Sequence, residues 1–458
     1  MIVILILLLM ALLAFVFYYF HKEICCAPFL FIAPFIVMCC VAWLFSDTWN
    51  FHMHLNTFLV ILMGNVFFVL GAVFAQKIRF VKLGYNHQIV QDRNESVVKY
   101  FFLLLLQCVC YLWKVKLIMQ FAGSKNLAIA LAYFDRITKF TTESTIRWPR
   151  ILSIGLDICT AVGYVCACVL AQKLIQKKNE KKYLILVALN FCVAVLGGLS
   201  SGGRGLAVRY LIAFIISLLI MFFREKEWKF ELEFRFIFRI LCILFLTAAF
   251  FIVSREMVGR GAVSRVGEYL AKYIGAQVYN LDYYLNKAFR RSEIFGQETF
   301  QPLIKFVCSR LEIQRWSNYL LDLPFRRVGK IDMGNVHTTF YPYIHDFGYW
   351  GVLFVPLFFG FLSQSIYKSA RLSPIKHTIH LGLVVYSDVA YSIIFSFFSN
   401  KFGEGIITVA MVKKVFFMWL IICFLFYARF NGRSLILDVK AAFGIQLKSR
   451  KRRIGEKA

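Results

Sequence analysis

Charge is scarce in this sequence, and negative charge most of all: 17% of the 458 residues are charged, with 25 Asp and Glu against 53 Lys and Arg. With 60% hydrophobic residues and a mean hydropathy of +0.67, the polar side chains cannot cover a soluble globule of this length. No Asp-x-Asp occurs, so a metal-held pyrophosphate lacks its usual carboxylate ligands, and His52 and His54 have no third ligand nearby to complete a zinc site. Neither a metal nor a cofactor is expected. Thirteen cysteines could suggest a disulfide framework, yet nearly all fall inside apolar runs, and Cys308 is alone in the one long polar stretch. Cys108/Cys110 and Cys166/Cys168 stand two apart on a helix and face different directions, which suits packing better than metal ligation. A cleavable leader is not expected, because Met1-Ile2-Val3-Ile4 has no basic region and no small-residue cleavage site precedes Ala27.

What the chain has in abundance is apolar runs. About eleven approach the roughly 20 helical residues that cross a bilayer, starting near Ile2, Ala27, Asn56, Val97, Ile151, Lys182, Gly205, Ile240, Phe347, Thr378 and Gly405. The fold class is therefore an all-α polytopic membrane protein. The net charge of +28 fits the positive-inside rule better than nucleic-acid binding. With the N-terminus outside, the inner loops hold more than half of the Lys and Arg, including Lys77, Lys173, Lys177, Arg224, Lys226, Lys368, Arg371 and the tail Lys448-Ser449-Arg450-Lys451-Arg452-Arg453. The short outer loop Ser46–Leu55 has none. The C-terminus is then cytoplasmic, the tail is a topology anchor, and no nucleic acid is expected as a partner. Lys114 to Arg150 is an outer segment with seven basic residues, read as an interfacial helix on anionic membrane lipids.

The run divides into a membrane domain of eight spans (1–254), a large polar loop (255–346), three further spans (347–428) and a basic tail (429–458). In the loop, Leu270, Ile274, Val278, Leu281 and Leu285 recur at helical spacing, as do apolar residues from Gln301 to Leu321. The loop is expected to be helical and packed on the bundle. Arg326 to Tyr343 has loop composition, of the kind that often presents functional groups.

Three constellations could carry chemistry. Ser200-Ser201-Gly202-Gly203-Arg204-Gly205 ends one span and opens the next, with Arg209 about one turn deeper. Such a turn directs backbone N–H groups and a dipole end outward and adds a guanidinium fork suited to phosphate. The alternative is a tight hairpin with Arg204 reaching to headgroups. Arg255 and Arg260 leave the eighth span on the same side. Asn335, His337, Thr338, His345 and Asp346 crowd before the ninth span. A loop histidine there can take a proton from a hydroxyl or merely hydrogen-bond, and Asp346 can do the same or cap the following helix. Asp157 and Asp388 sit within apolar runs, where a carboxylate needs a partner or a water-filled path.

The Gly-Gly-Arg-Gly turn, the long outer loop, and Gly334-Asn335-Val336-His337-Thr338-Thr339-Phe340 followed by Asp346-Phe347-Gly348-Tyr349-Trp350-Gly351 resemble the bacterial oligosaccharide repeat-unit polymerases, the Wzy class that builds O-antigen and capsular chains. The resemblance implies a GT-C-like bundle with a helical periplasmic loop, in the bacterial inner membrane, with its active site at the periplasmic face. It implies transfer of a growing glycan from undecaprenyl pyrophosphate to the outermost sugar of a lipid-linked repeat unit, inverting and metal-independent, with a chain-length regulator as a partner. Under this reading Arg204 and Arg209 neutralise the departing pyrophosphate, with Arg255 and Arg260 as further clamps. His337 is the first and Asp346 the second expected proton acceptor, and Asn335, Thr338 and Tyr341 bind glycan. Two rivals remain: a flippase for lipid-linked oligosaccharide, which would use Asp157 and Asp388 along a pathway, and an O-antigen ligase, which differs only in its acceptor.

Overall fold

The computed structural model describes residues 1–78, 95–140, 146–176, 181–229, 234–259, 266–287, 292–319, 323–329, 331–372, 378–431 and 434–437. Arg260 and the basic run from Lys448 to Arg453 lie outside them. The described residues are mostly helical: α1 (Ile2–Tyr19), α2 (Ala27–Leu44), α3 (Ser46–Trp49), α4 (Leu55–Lys77), α5 (Val97–Ala122), α6 (Leu127–Phe140), α7 (Arg150–Gln176), α8 (Lys181–Gly198), α9 (Gly205–Glu225), α10 (Phe234–Met257), α11 (Val266–Leu285), α12 (Gln301–Arg310), α13 (Gln314–Ser317), α14 (Phe340–Phe347), α15 (Tyr349–Arg371), α16 (Leu381–Ile394), α17 (Lys401–Gly405) and α18 (Val409–Ile422). Among the described residues ten helices are long and apolar enough to cross a membrane, and Leu381–Phe397 is a shorter apolar helix between the last two. At 1.5 Å per residue that piece reaches roughly 25 Å, short of the hydrocarbon thickness. The eleven runs of the sequence thus become ten full-length helices and one truncated one. The protein is a multi-pass, all-α membrane protein.

The interior is built on α7 and α9, which pack against each other and against α8, while α18 packs on α7 and α16 on α9. A second tight pair is α4 with α15. There the backbones touch, because a Cβ at Gly71 would fall 1.9 Å from the Leu357 carbonyl oxygen and one at Gly360 2.0 Å from that of Phe68. Small residues permit this approach where lipid offers no hydrophobic drive for association.

At one end of the bundle, long cations cap helix ends and pair with acids. Lys368 donates to the carbonyls of Ala75 and Gln76 at 3.1 and 3.0 Å, Lys99 to those of Leu425 and Ala428 at 2.9 and 2.7 Å, and Arg224 to that of Ala370 in the last turn of α15. Glu23 pairs with Arg371 at 2.6 Å, and Lys173 with Glu95 at 2.6 Å. Ammonium and guanidinium groups at C-terminal helix ends satisfy orphan carbonyls and oppose the negative dipole end.

At the other end, α11 lies along α2. The stretch expected to be irregular, Arg326 to Tyr343, begins with a hairpin of β1 (Arg326–Val328) and β2 (Ile331–Gly334), paired antiparallel with Arg327 opposite Asp332. α14 then starts at Phe340. Asp346 does not cap the ninth span: it lies in the last turn of α14, and Gly348, at φ +63, separates α14 from α15. All thirteen cysteines are free thiols.

Candidate active site

Three segments far apart in sequence meet above α4 and α15. The carboxylate of Asp346, whose side chain is fully buried, accepts from the backbone N–H of Glu298 at 3.1 Å and of Thr299 at 2.6 Å. The Thr299 hydroxyl donates to the Pro342 carbonyl at 3.1 Å, and Asn400 donates to the Thr299 carbonyl at 2.8 Å. Asn400 also caps α17, accepting from the Gly403 N–H at 3.1 Å. The turn 292–300, helix α14 and the turn 398–404 are thus pinned to one another.

They enclose a cavity of about 260 Å³. Among its lining residues are Glu298, Gln301, Asn335, His337, Tyr341 and Lys401, and Thr338, Phe398 and Glu404 also line it. Carboxyl, imidazole, amides, an ammonium and aromatic faces together are a set suited to a polyhydroxylated ligand.

Glu298 is 6% exposed. Its Oε1 accepts from the Tyr319 hydroxyl at 3.0 Å and faces His345 Nε2 at 3.6 Å. Its Oε2 is buried and makes no hydrogen bond of good geometry among the described residues. Burial raises the carboxyl above its ordinary value; His345, then the hydroxyls of Tyr341 and Tyr319, pull it back, and nearby Asp346 pushes it up further. His345 sits between two acids, with Nδ1 3.2 Å from Asp346 Oδ1. Burial opposes its charge, but Asp346 and Glu298 outweigh burial and raise it.

His337 behaves differently. It is 3% exposed, edge-on to Tyr284 and tilted against Tyr341 at ring distances of 6.3 and 4.8 Å, and its Nδ1 has no partner among the described residues. Burial, then the charge of Arg326, lower it to about 4, against a smaller opposite effect of the Asn335 backbone. The ring is neutral at any physiological pH.

The arginines are divided between two other places. Arg204 donates to the Phe251 carbonyl at 2.7 Å and to the hydroxyls of Tyr269 and Tyr273 at 3.1 and 3.3 Å. Arg255 lies over the Tyr269 ring at 4.9 Å. The glycine-rich turn before Arg204 faces an acid, not open space: α6 covers it, and a Cβ at Gly202 would fall 2.3 Å from the Leu131 carbonyl and 2.7 Å from Asp135 Cβ. This cluster adjoins the cavity through Tyr273, which stacks on Phe398 at 6.1 Å. Arg209 turns instead into the bundle. It lies 3.8 Å from Asp388 Oδ1 and over the Tyr391 ring at 4.5 Å, and Lys414 pairs with the other oxygen of Asp388. Arg209 Nη2 is 3.1 Å from where a Cβ on Gly405 would stand, one residue beyond the cavity-lining Glu404. Asp157 feels the charge of Lys413.

Of the residues singled out from sequence, Asn335, His337, Thr338 and Tyr341 share the cavity wall. Asp346 stands behind that wall with its oxygens on backbone N–H groups. Arg204 and Arg255 share the tyrosine cluster, Arg209 is separate, and Arg260 lies outside the described residues. Glu298, Asn400 and Glu404 were not foreseen. Glu298 is one of nine acids in the long loop, and its only mark in the sequence is Gly296 two residues before it, whose φ is +72. Comparison with protein-family models, with curated proteins and with solved structures finds no match to this chain.

Proposed function

We propose that this chain is an oligosaccharide repeat-unit polymerase: an inverting, metal-independent membrane glycosyltransferase of GT-C type in the bacterial inner membrane. It moves a growing glycan from undecaprenyl pyrophosphate to the non-reducing-end sugar of an incoming lipid-linked repeat unit. The observation that carries the reading is the cavity roofed by 292–301 and 335–342, because it sets a buried carboxyl and a neutral imidazole beside amides and aromatic faces at the end of a membrane bundle. At about 260 Å³ it falls just below the roughly 300–1,000 Å³ of typical ligand pockets, room for the reacting sugar and not for a whole oligosaccharide. The glycan then extends outward and the polyprenyl chain stays in lipid.

The leaving diphosphate needs positive charge that grows in effect as the bond breaks. Arg209 and Lys414 share one carboxylate, Asp388, and Lys401 pairs with Glu404, so three cations stand against two acids around the Gly405 edge of the cavity. Orientation follows the basic-loop asymmetry, with the N-terminus and the cavity periplasmic and the C-terminus cytoplasmic. A second reading, a flippase of the same lipid-linked oligosaccharide, draws on that same charged cluster, since ionisable groups inside a bundle commonly mark a transport path.

The test uses lipid extracts from a strain lacking this gene. Added to liposomes containing the purified protein, the extract's single lipid-linked units are converted to a ladder of glycans. A strain whose lipid-linked units stay in the cytoplasmic leaflet, with no ladder formed in liposomes, would instead establish the flippase. Joining of the glycan to lipid A core and not to another unit would establish the ligase.

A further inference from the structure

We infer that Glu298 is the catalytic base of this site, its free Oε2 taking the proton of the attacking sugar hydroxyl, and that His345 and Asp346 are positioning residues that hold it there. The inference rests on the polymerase reading. In the step, the acceptor oxygen forms a bond to the anomeric carbon of the donor sugar as its proton passes to Glu298 Oε2. The bond from that carbon to the diphosphate oxygen breaks, and its electron pair leaves with the undecaprenyl pyrophosphate. The carboxyl then loses its proton to solvent through the cavity.

Three observations single out Glu298. Glu298 is one of the residues that line the cavity. One of its oxygens is buried and makes no hydrogen bond of good geometry among the described residues, with the Tyr341 hydroxyl near enough to favour the carboxylate; such an oxygen costs stability until a well-placed donor arrives. Its other oxygen and its backbone are fixed from three directions, by Tyr319, by His345 and by Asp346, so the orphan oxygen has a set place. The alternatives offer less. Asp346 is committed to two backbone N–H groups and His345 and is absent from the cavity wall. His337 lines the wall, but burial and Arg326 make it a weak base. Glu404, also on the wall, accepts from Ser399 at 3.2 Å and pairs with Lys401.

The groups that face Glu298 are His345, Asp346 and Tyr341 on α14, Tyr319 after α13 and Tyr284 on α11, with Lys401 and Glu404 across the cavity from α17. Since only the carboxylate accepts a proton, turnover rises with pH through its raised pKa. Tyr319 favours the carboxylate, so Tyr319→Phe moves that rising limb to higher pH.

The experiment compares wild type, Glu298→Gln and Tyr319→Phe in liposomes, using lipid-linked units extracted from the deletion strain. Glu298→Gln is expected to lower turnover by roughly 100-fold or more while retention of the radiolabelled lipid-linked unit is unchanged. Turnover within about threefold of wild type would overturn the assignment and leave the polymerase reading standing. If wild type itself forms no ladder, the reading fails and takes this inference with it. Should Glu298→Gln not insert, Tyr319→Phe decides: a limb shifted upward supports the base, and an unmoved limb rejects it.

Discussion

Asp346 and Glu298 are two buried acids a few ångströms apart, and they should fail in different ways. Removing the Asp346 carboxylate leaves the N–H groups of Glu298 and Thr299 without acceptors inside the protein. Charge-assisted bonds of this kind contribute about 1.5–3 kcal/mol each. Asp346→Ala should therefore lower the melting temperature in detergent, by about 3 kcal/mol of stability, whereas Glu298→Gln should melt like wild type. Equal melting of Asp346→Ala and wild type would remove the clamp from the account. The histidines separate as well. His345 is raised above 6.5, so its favourable contribution is complete below that value and fades as pH rises through the folded pKa. His337 is held down to about 4, so folding loses stability as pH falls from 6.5 toward 4. Histidine-selective NMR should show the His337 ring unchanged between pH 6 and 8 while His345 keeps its proton to higher pH than an ordinary histidine. A His337 resonance that moves with pH in that range would contradict its burial.

Among the elements, the pair α4 and α15 is the most sensitive to a single atom. Gly71 faces a backbone carbonyl that cannot rotate away, so Gly71→Ala must push the helices apart, at a cost of about 1–3 kcal/mol or more by analogy with overpacked cores. Thermal unfolding of Gly71→Ala in detergent checks this, and an unchanged midpoint would mean that the helices do not meet there. The spans themselves were legible in the sequence because hydropathy sums over some twenty residues, and errors at single positions cancel. The exception, α16, gave an apolar run of ordinary appearance, yet α16 and the single 3-10 turn after it end at Phe397 because Ser399 and Asn400 turn the chain back toward Thr299. The Gly-Gly-Arg-Gly turn was legible as a turn. That α6 would lie over it with Asp135 was not, since nothing local couples residues 131–135 to 202.

For the whole molecule, the proposed orientation puts the cavity end on the periplasmic side. Arg315 is 68% exposed near the cavity end. A cysteine placed there should react with a membrane-impermeant thiol reagent applied to intact cells whose outer membrane is permeabilised, and protection until the inner membrane is breached would invert the orientation. The site was half legible at this scale. The motif from Asn335 to Thr338 gave one wall, because polar residues crowded before a span stand out from their surroundings. Glu298 and Glu404 were hidden, since each is an ordinary acid until the fold brings their segments together.

The bond from Asn400 to the Thr299 carbonyl joins residues separated by 101 positions. During synthesis at the membrane, the roof of the cavity emerges and inserts well before the chain that pins it. A nascent protein lacking its last two helices therefore has all its early spans and no finished site. Under the proposed function a half-made copy turns over no substrate, and a truncation anywhere before Asn400 should be inert even when it is stably inserted.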